Sequence, residues 1–422
     1  MTRLDAPQQT GHSFPQFLPD GRHFLYYVRG TAAARGVYVG QLDGSETRRV
    51  LVADGAAVYA SSGCVLFVRQ ATLFAQPFDP VRLALTGDPR SVTDPVTVDA
   101  RFELGVGLSA SAAGSIVYRN GSTGDGRQFV WFDRVGHGLG NVGDPDRTAA
   151  DPAISPDGHR VALNRAEGGN RDIWLLDVGR GVLSRFTSDA AADQRPVWSP
   201  DGRRIVFASN RKGTYDLYQK AATGAGGEEL LLATPQNKAP TDWSPDGRFL
   251  VYRSNDSKSG YDIWALPLAG DRRPFLVVQT NFDERDAQFS PNSQWIAYQS
   301  NESGRMEIYA QPFPGPGGKI RVSPAGGTQV RWRADGKELF YIARDGQLMA
   351  VPARFSPDGQ ALEVAAPLTL FMTHLGDPEL NLSRQQYMVA PDGQRFLMNT
   401  VTDETVTAPI TIVLNWKPPV GR

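Results

Sequence analysis

Short apolar runs alternate along the chain with clusters of Pro, Asp, Gly, Asn and Ser, and no stretch carries the 3.6-residue spacing of an amphipathic helix. The segment from Pro196 displays the unit. Pro196-Val197-Trp198 reads as a strand, followed by a tight turn at Pro200-Asp201-Gly202 and a second strand at Arg204-Ile205-Val206-Phe207-Ala208. A polar hairpin over 209–213 leads to a third strand, Tyr215-Asp216-Leu217-Tyr218, and Leu230-Leu231-Leu232 closes the unit. The turn is chemically specified: proline presets φ, the aspartate caps the backbone, and Gly202 supplies a positive φ that a Cβ resists.

The unit recurs. Ser155-Pro156-Asp157-Gly158, Ser199-Pro200-Asp201-Gly202 and Ser244-Pro245-Asp246-Gly247 end at residues 158, 202 and 247, and weaker copies end at Gly21, Gly63, Gly114, Ser293, Gly336 and Gly393. This period is that of a four-stranded propeller blade, so the chain is expected to be all-β: a single β-propeller of about nine blades, eight being the alternative. The blades are placed at 14–52, 56–93, 104–143, 152–188, 196–233, 240–279, 287–323, 328–371 and 387–416, the last completed by residues 1–5. That N-terminal strand, added to the C-terminal blade, is expected to close the ring and remove its open edges. Ser356-Pro357-Asp358-Gly359 comes too soon after Gly336 to open a blade and reads as a hairpin loop. Strands apolar on both faces, such as Trp295-Ile296-Ala297-Tyr298, suit blades packed between two neighbours.

Lys and Arg total 44 against 45 Asp and Glu, so there is no basic field for nucleic acid or anionic lipid. Cys64, the only cysteine, sits in the apolar run Cys64-Val65-Leu66-Phe67-Val68 and reads as a small buried hydrophobe. The N-terminal residues lack the apolar core of a signal peptide and no run is long enough to span a bilayer, so the sequence as given reads as soluble, without direct membrane insertion.

Trp198 to Gly202 with Asp216, and Trp243 to Gly247 with Asp262-Ile263-Trp264, resemble the W-S-P-D-G … D-I-[WY] signature of the TolB-like propeller repeat. The runs at 14–30, 197–220 and 311–342 look like the C-terminal propeller of bacterial eukaryote-like serine/threonine protein kinases. In that family a kinase domain and one membrane span precede an extracytoplasmic propeller. The resemblance therefore implies a periplasmic sensor or interaction domain of a membrane-anchored parent, or a free TolB-like periplasmic scaffold. The kinase motifs themselves are absent, Glu284-Arg285-Asp286 being only an echo of H-R-D.

Enzyme chemistry is not apparent. There is no G-x-S-x-G elbow, and Gly107-Leu108-Ser109-Ala110-Ser111 lacks its second glycine. His12, His23, His137, His159 and His374 show no metal-ligand spacing, and no cofactor motif is found. Asp157, Asp201, Asp246 and Asp392 recur at one place in the repeat, which marks turn residues. A polysaccharide- or peptide-processing enzyme remains the third-ranked reading. Side chains that differ between blades carry more information. Gln194, Arg195, Lys238, Asp242, Arg285, Asp286, Gln288, Gln329 and Arg331, on the entry loops and first strands, are expected at the channel mouth. They form either a rim that binds a protein loop, a peptide terminus or a glycan, or a solvated channel of mixed charge.

Overall fold

The computed structural model describes Thr2 and residues 8–31, 33–44, 47–70, 72–93, 96, 98–99, 105–119, 126–167, 170–256, 260–315, 317–376, 385–402 and 410–418. All regular structure among them is β-strand or bridge, and the chain divides into two compact units, Met1–Asp125 with Asp403–Arg422, and Gly126–Thr402.

In the second unit five antiparallel sheets follow one another, each with its strands adjacent in chain order. Blade one is Ala150–Ile154, Arg160–Glu167, Asn170–Asp177 and Leu183–Arg185; blade two is Asp193–Trp198, Arg204–Lys212, Thr214–Ala221 and Glu229–Leu232. Blade three runs from Lys238–Trp243 to Phe275–Val278, blade four from Glu284–Phe289 to Ile320–Arg321. In blade five, Thr328–Trp332 and Glu338–Ile342 lead to Gln347–Phe355, which pairs with both Leu362–Val364 and Leu368–Met372. Ser356–Gly359 is the hairpin between Phe355 and Leu362. Blade six is composite: Tyr387–Val389 and Arg395–Val401 are completed by Arg127–Asp133 and Gly138–Val142. First strands touch in the order one to six, and that of blade six touches that of blade one, so the unit is a closed ring.

This corrects three expectations. The ring of the second unit has six blades, where a single ring of about nine, or alternatively eight, was expected of the whole chain. The predicted blade 104–143 is divided: Leu108–Ala110 and Ile116–Arg119 pair within the first unit, while Arg127–Val142 joins blade six. The predicted last blade is divided too, since Ile410–Val413 pairs with Ile116–Arg119. Residues 1–5 lie outside the described residues apart from Thr2, which is in no strand. A repeat signature fixes the pairing within a copy but does not say which copies share a ring, and here the edge left by Arg395–Val401 is covered by Arg127–Asp133 in seven register pairs.

The first unit contains the sheet Gln9–Phe17, His23–Gly30, Gly36–Gln41 and Thr47–Leu51, and a second built on Val58–Ala60, Cys64–Arg69 and Thr72–Asp79. Cys64 is buried with Leu66, Val68 and Leu73, and burial pushes its thiol pKa up.

Alternation along the second strands builds the ring's core. Val161 and Leu163 pack with Met388 and Leu397 of blade six, whereas Ala162 between them packs with Ile205 and Phe207 of blade two. Val206 turns the other way, to Leu250 and Tyr252 of blade three. Each fully buried side chain of this kind contributes roughly 1.5–3 kcal/mol. The Ser-Pro-Asp-Gly turns are closed polar units: Ser199 Oγ donates to Asp201 Oδ1 at 2.6 Å and accepts from the Arg204 N–H at 2.9 Å, with Gly202 at φ 69°.

In blades one to four a buried acid near the start of the third strand is paired with a neighbouring side chain. Asp172 accepts from Arg185, Asp262 from Gln279 at 3.1 Å and Glu307 from Arg305 at 2.8 Å. In blade two Asp216 instead receives Lys238 of blade three at 2.9 Å. The Lys238 ammonium also donates to Thr234 O and Oγ1 at 3.0 and 2.9 Å and to Gln236 O at 2.5 Å. At 1% exposure it is a tie between blades, not a channel residue, and desolvation lowers its pKa against the pull of Asp216. Replacing Lys238 with Met strands a buried carboxylate, so Lys238→Met should lose about 3 kcal/mol in urea unfolding. Asp216→Asn added to that variant should recover part of the loss; equal stability of Lys238→Met and the native chain would refute the tie.

Candidate functional site

The ring encloses a cavity of about 430 Å3 lined by first strands and the turns that follow them. Its geometry follows from the first strand. Each such strand ends at one position before its turn, occupied by Ile154, Trp198, Trp243, Phe289, Trp332 and Val389 in blades one to six. Strand alternation puts the residues one and three places earlier on the same side, toward the cavity.

The residues one place earlier, in ring order, are Ala153, Val197, Asp242, Gln288, Arg331 and Met388, and all six line the cavity. Blades six, one and two thus give a continuous apolar arc, and blades three, four and five a continuous polar one. Three places earlier stand Asp151, Arg195, Pro240, Asp286, Gln329 and Gln386, of which the first four line the cavity. Here the strands bulge, with register shifts at Ala150/Ala153, Gln194/Val197, Pro240/Asp242, Arg285/Gln288 and Thr328/Arg331. Asp151, Arg195, Asp286 and Gln329 have φ of 51°, 56°, 52° and 58°, left-handed values that side chains with a Cβ disfavour.

The charges are organised around Asp286. Its carboxylate accepts from Arg195 Nη1 at 3.2 Å and Gln299 Nε2 at 3.0 Å, with Arg253 Nη1 at 3.8 Å. Desolvation opposes the charge on Arg195, but Asp151 and Asp286 outweigh it and raise its pKa. Asp151 Oδ1 accepts from the Gln385 N–H at 3.2 Å, and its Oδ2 receives the Asn164 amide at 2.7 Å. Asp242 Oδ2 accepts from the Phe289 N–H at 2.7 Å, yet desolvation raises its pKa to about 6. Desolvation lowers the pKa of Arg331, partly offset by Tyr387, Asp242, Asp286 and Asp151.

Of the nine residues expected at the channel mouth, Arg195, Asp242, Asp286, Gln288 and Arg331 line the cavity. Gln329 is buried behind it, accepting from the Gln386 N–H at 2.7 Å. Gln194 and Arg285 do not line it: Gln194 Oε1 accepts from Arg171 at 3.5 Å, and Arg285 donates to Asp283 at 3.0 Å over the Tyr261 ring. Both stand four places before the strand-ending aromatic, on the opposite phase of the alternation, and Lys238 stands five places before. Asp151, Gln385 and Met388 escaped the sequence reading, although Asp151 and Met388 sit at the same offsets from Ile154 and Val389 as Arg195 and Arg331 do from their aromatics. Among the described residues no group of three or more His, Cys, Asp or Glu could hold a metal ion.

Asp242 gives the ring a pH dependence. With its pKa raised in the folded state, the unfolded chain releases this proton first, so stability falls as pH rises from about 4 to about 6. Asp193, also raised to about 6 by desolvation, adds a separate slope. Asp242→Asn should therefore match the native chain near pH 4 and exceed it at pH 7 by roughly 1–3 kcal/mol in urea unfolding. A native chain that is the more stable at pH 7 would contradict this.

Comparison with known proteins places these features. The TolB beta propeller domain family matches residues 139–285, from the outer strand of blade six into the first strand of blade four. The chain is 28% identical over 110 residues to the Bacillus subtilis (strain 168) protein named uncharacterized peptidase YuxL, covering 25% of this chain and 17% of that protein. It is 27% identical over 226 residues to the uncharacterized protein Atu1656 of Agrobacterium fabrum, covering 48% of this chain and 69% of that protein. The chain thus spans less than a fifth of the first of these relatives and about two thirds of the second. Crystalline TolB from Acinetobacter baumannii superposes with a TM-score of 0.43 at 17% identity, over 72% of this chain and 81% of that one. Residues 139–285 therefore carry the TolB-like β-propeller pattern within a chain whose described elements are all β.

Proposed function

We propose that this chain is a noncatalytic binding module whose ligand enters the cavity of the six-bladed ring. The observation that carries the reading is the ring of six side chains divided into the apolar arc Met388, Ala153 and Val197 and the polar arc Asp242, Gln288 and Arg331. A merely solvated channel needs no such division, whereas an amphipathic ligand is oriented by it. The polar arc holds no nucleophile beside a base, and its acid Asp242 is engaged by a backbone N–H. A protein segment, a peptide or a glycan fits this chemistry; a nucleic acid does not, with three aspartates against two arginines in the lining.

The finer reading is an extracytoplasmic sensor or interaction domain of a receptor-like bacterial serine/threonine kinase, supported by the resemblance of the runs at 14–30, 197–220 and 311–342. The alternative is a free TolB-like periplasmic scaffold. A reading frame that continues upstream into a kinase domain and a membrane span would decide for the first.

The cavity reading is tested by filling the cavity. Ala334 lines it from the exposed turn of blade five, so Ala334→Trp occupies space without entering the packed core. Immobilised native chain should retain ligands from a bacterial envelope extract that Ala334→Trp retains at least about tenfold less, a difference of about 1.4 kcal/mol. The purified ligand should also perturb the fluorescence of Trp198, Trp243 and Trp332, which line the cavity. Equal retention by both proteins would move the site off the ring's axis.

A further inference from the structure

We propose that Arg331 and Gln385 form a carboxylate-binding subsite in this cavity, taking the terminal carboxylate of a ligand whose adjoining part is apolar. The inference rests on the cavity reading and names the chemistry that the cavity selects.

Two observations carry it. Gln385 is 8% exposed and lines the cavity, yet neither its Nε2 nor its Oε1 has a hydrogen-bond partner. Arg331, on the adjacent blade, lines the same cavity, and its guanidinium makes no hydrogen bond or ion pair within 4 Å with any described residue. Buried polar groups in folded proteins are almost always satisfied, and a desolvated guanidinium whose nearest carboxylates stand beyond ion-pair distance is costlier still. Water in the cavity could complete Gln385 but brings Arg331 no charge.

The other charged groups around the cavity are committed. Arg195 and Arg253 face Asp286, Asp151 is held by the Gln385 N–H and Asn164, and Asp242 is held by the Phe289 N–H. What remains is a surplus of donors: the forked guanidinium of Arg331 and the side-chain amide of Gln385. A carboxylate offers two oxygens in the plane that a guanidinium fork matches, with a lone pair left for the amide. A phosphate dianion fits less well, because one unpaired cation would face a double charge among three aspartates. The apolar arc from Met388 through Ala153 to Val197 begins on the blade that carries Gln385, so the atoms next to the carboxylate meet hydrophobic side chains.

A carboxylate of this kind ends a peptide or a free aliphatic acid, and the test separates them. The immobilised full chain is challenged with two degenerate pentapeptide libraries, one with free C-termini and one amidated, and separately with hexanoate. Retention of the free-acid library at least tenfold above the amidated one, lost in Arg331→Met and reduced in Gln385→Leu, supports the subsite with peptide termini as the source. Hexanoate binding that depends on Arg331 supports the subsite with a free acid as the source. The unliganded Arg331→Met protein should unfold at the same or a higher temperature than the native chain, because an unpaired desolvated cation is gone. A purely structural arginine would instead lower it. Should that variant not fold, Gln385→Leu carries the binding test. Equal retention of both libraries overturns the carboxylate subsite and leaves the cavity as a peptide site. Retention of neither library, with no hexanoate binding, overturns the subsite, and only the cavity-filling variant then speaks for the cavity reading.

Discussion

Four residues of the inner strands, Asp151, Arg195, Asp286 and Gln329, are held in a left-handed backbone conformation that costs each of them roughly 1–2 kcal/mol. Two precede proline, which restricts them further. Such strain persists only where the surroundings over-determine it, and here each strained residue uses its own side chain to reach another blade. Asp151 accepts from blade six, Arg195 and Asp286 join blades two and four, and Gln329 accepts from blade six. The bulge that turns these side chains toward other blades is thus stabilised by the bonds it makes possible. Ring contact and cavity chemistry depend on the same feature.

Above this bulge the first strand serves both the framework and the cavity. Trp198 and Trp332, at the strand ends, donate their indole N–H groups to backbone carbonyls of the preceding blade, Ala153 at 2.9 Å and Gln288 at 3.2 Å. The residues just before them face the cavity. The strand-end rings thus tie blade to blade and at the same time form part of the cavity wall. Blade three departs from the pattern: Pro240 stands where its neighbours carry polar groups, and Arg195 crosses that gap to Asp286. The polar arc consequently has a rigid floor, with the Arg195–Asp286 pair beneath Asp242, Gln288 and Arg331 in sequence offset.

What was legible in the sequence follows from how locally each feature is specified. The strands, turns and Ser-Pro-Asp-Gly units could be read because each is specified within a few residues: a proline that sets φ, an acid that caps, a glycine that takes a positive φ. The blade count could not, because Arg127–Asp133 finds its partner in Arg395–Val401, far along the chain, and nothing local to either strand announces the other. Five of the nine candidate residues reached the cavity because variation between copies does mark the axis. Gln194 and Arg285 failed because at offset four their side chains turn to Arg171 and Asp283, and Lys238 failed because, at offset five and beyond the bulge, it is drawn to Asp216. Asp151 and Met388 were missed because Ile154 and Val389 replace the aromatic that made the other blades recognisable. Gln385 has no sequence signal of its own: it stands four places before Val389, the offset that in Gln194 and Arg285 points away.

The ring also begins and ends at one spot. The Thr402 N–H donates to the Gly126 carbonyl at 2.7 Å, and Arg127 stands opposite Val401 in the first register pair of the closing strands. Tension applied through the two flanking segments would load this ladder from one end, opening its bonds one after another as a zipper opens, rather than shearing all of them together. The closure that secures the ring against spontaneous opening is therefore its compliant element under force. A mechanical load entering through the chain would find blade six, and the strand that carries Met388, before any other part of the ring.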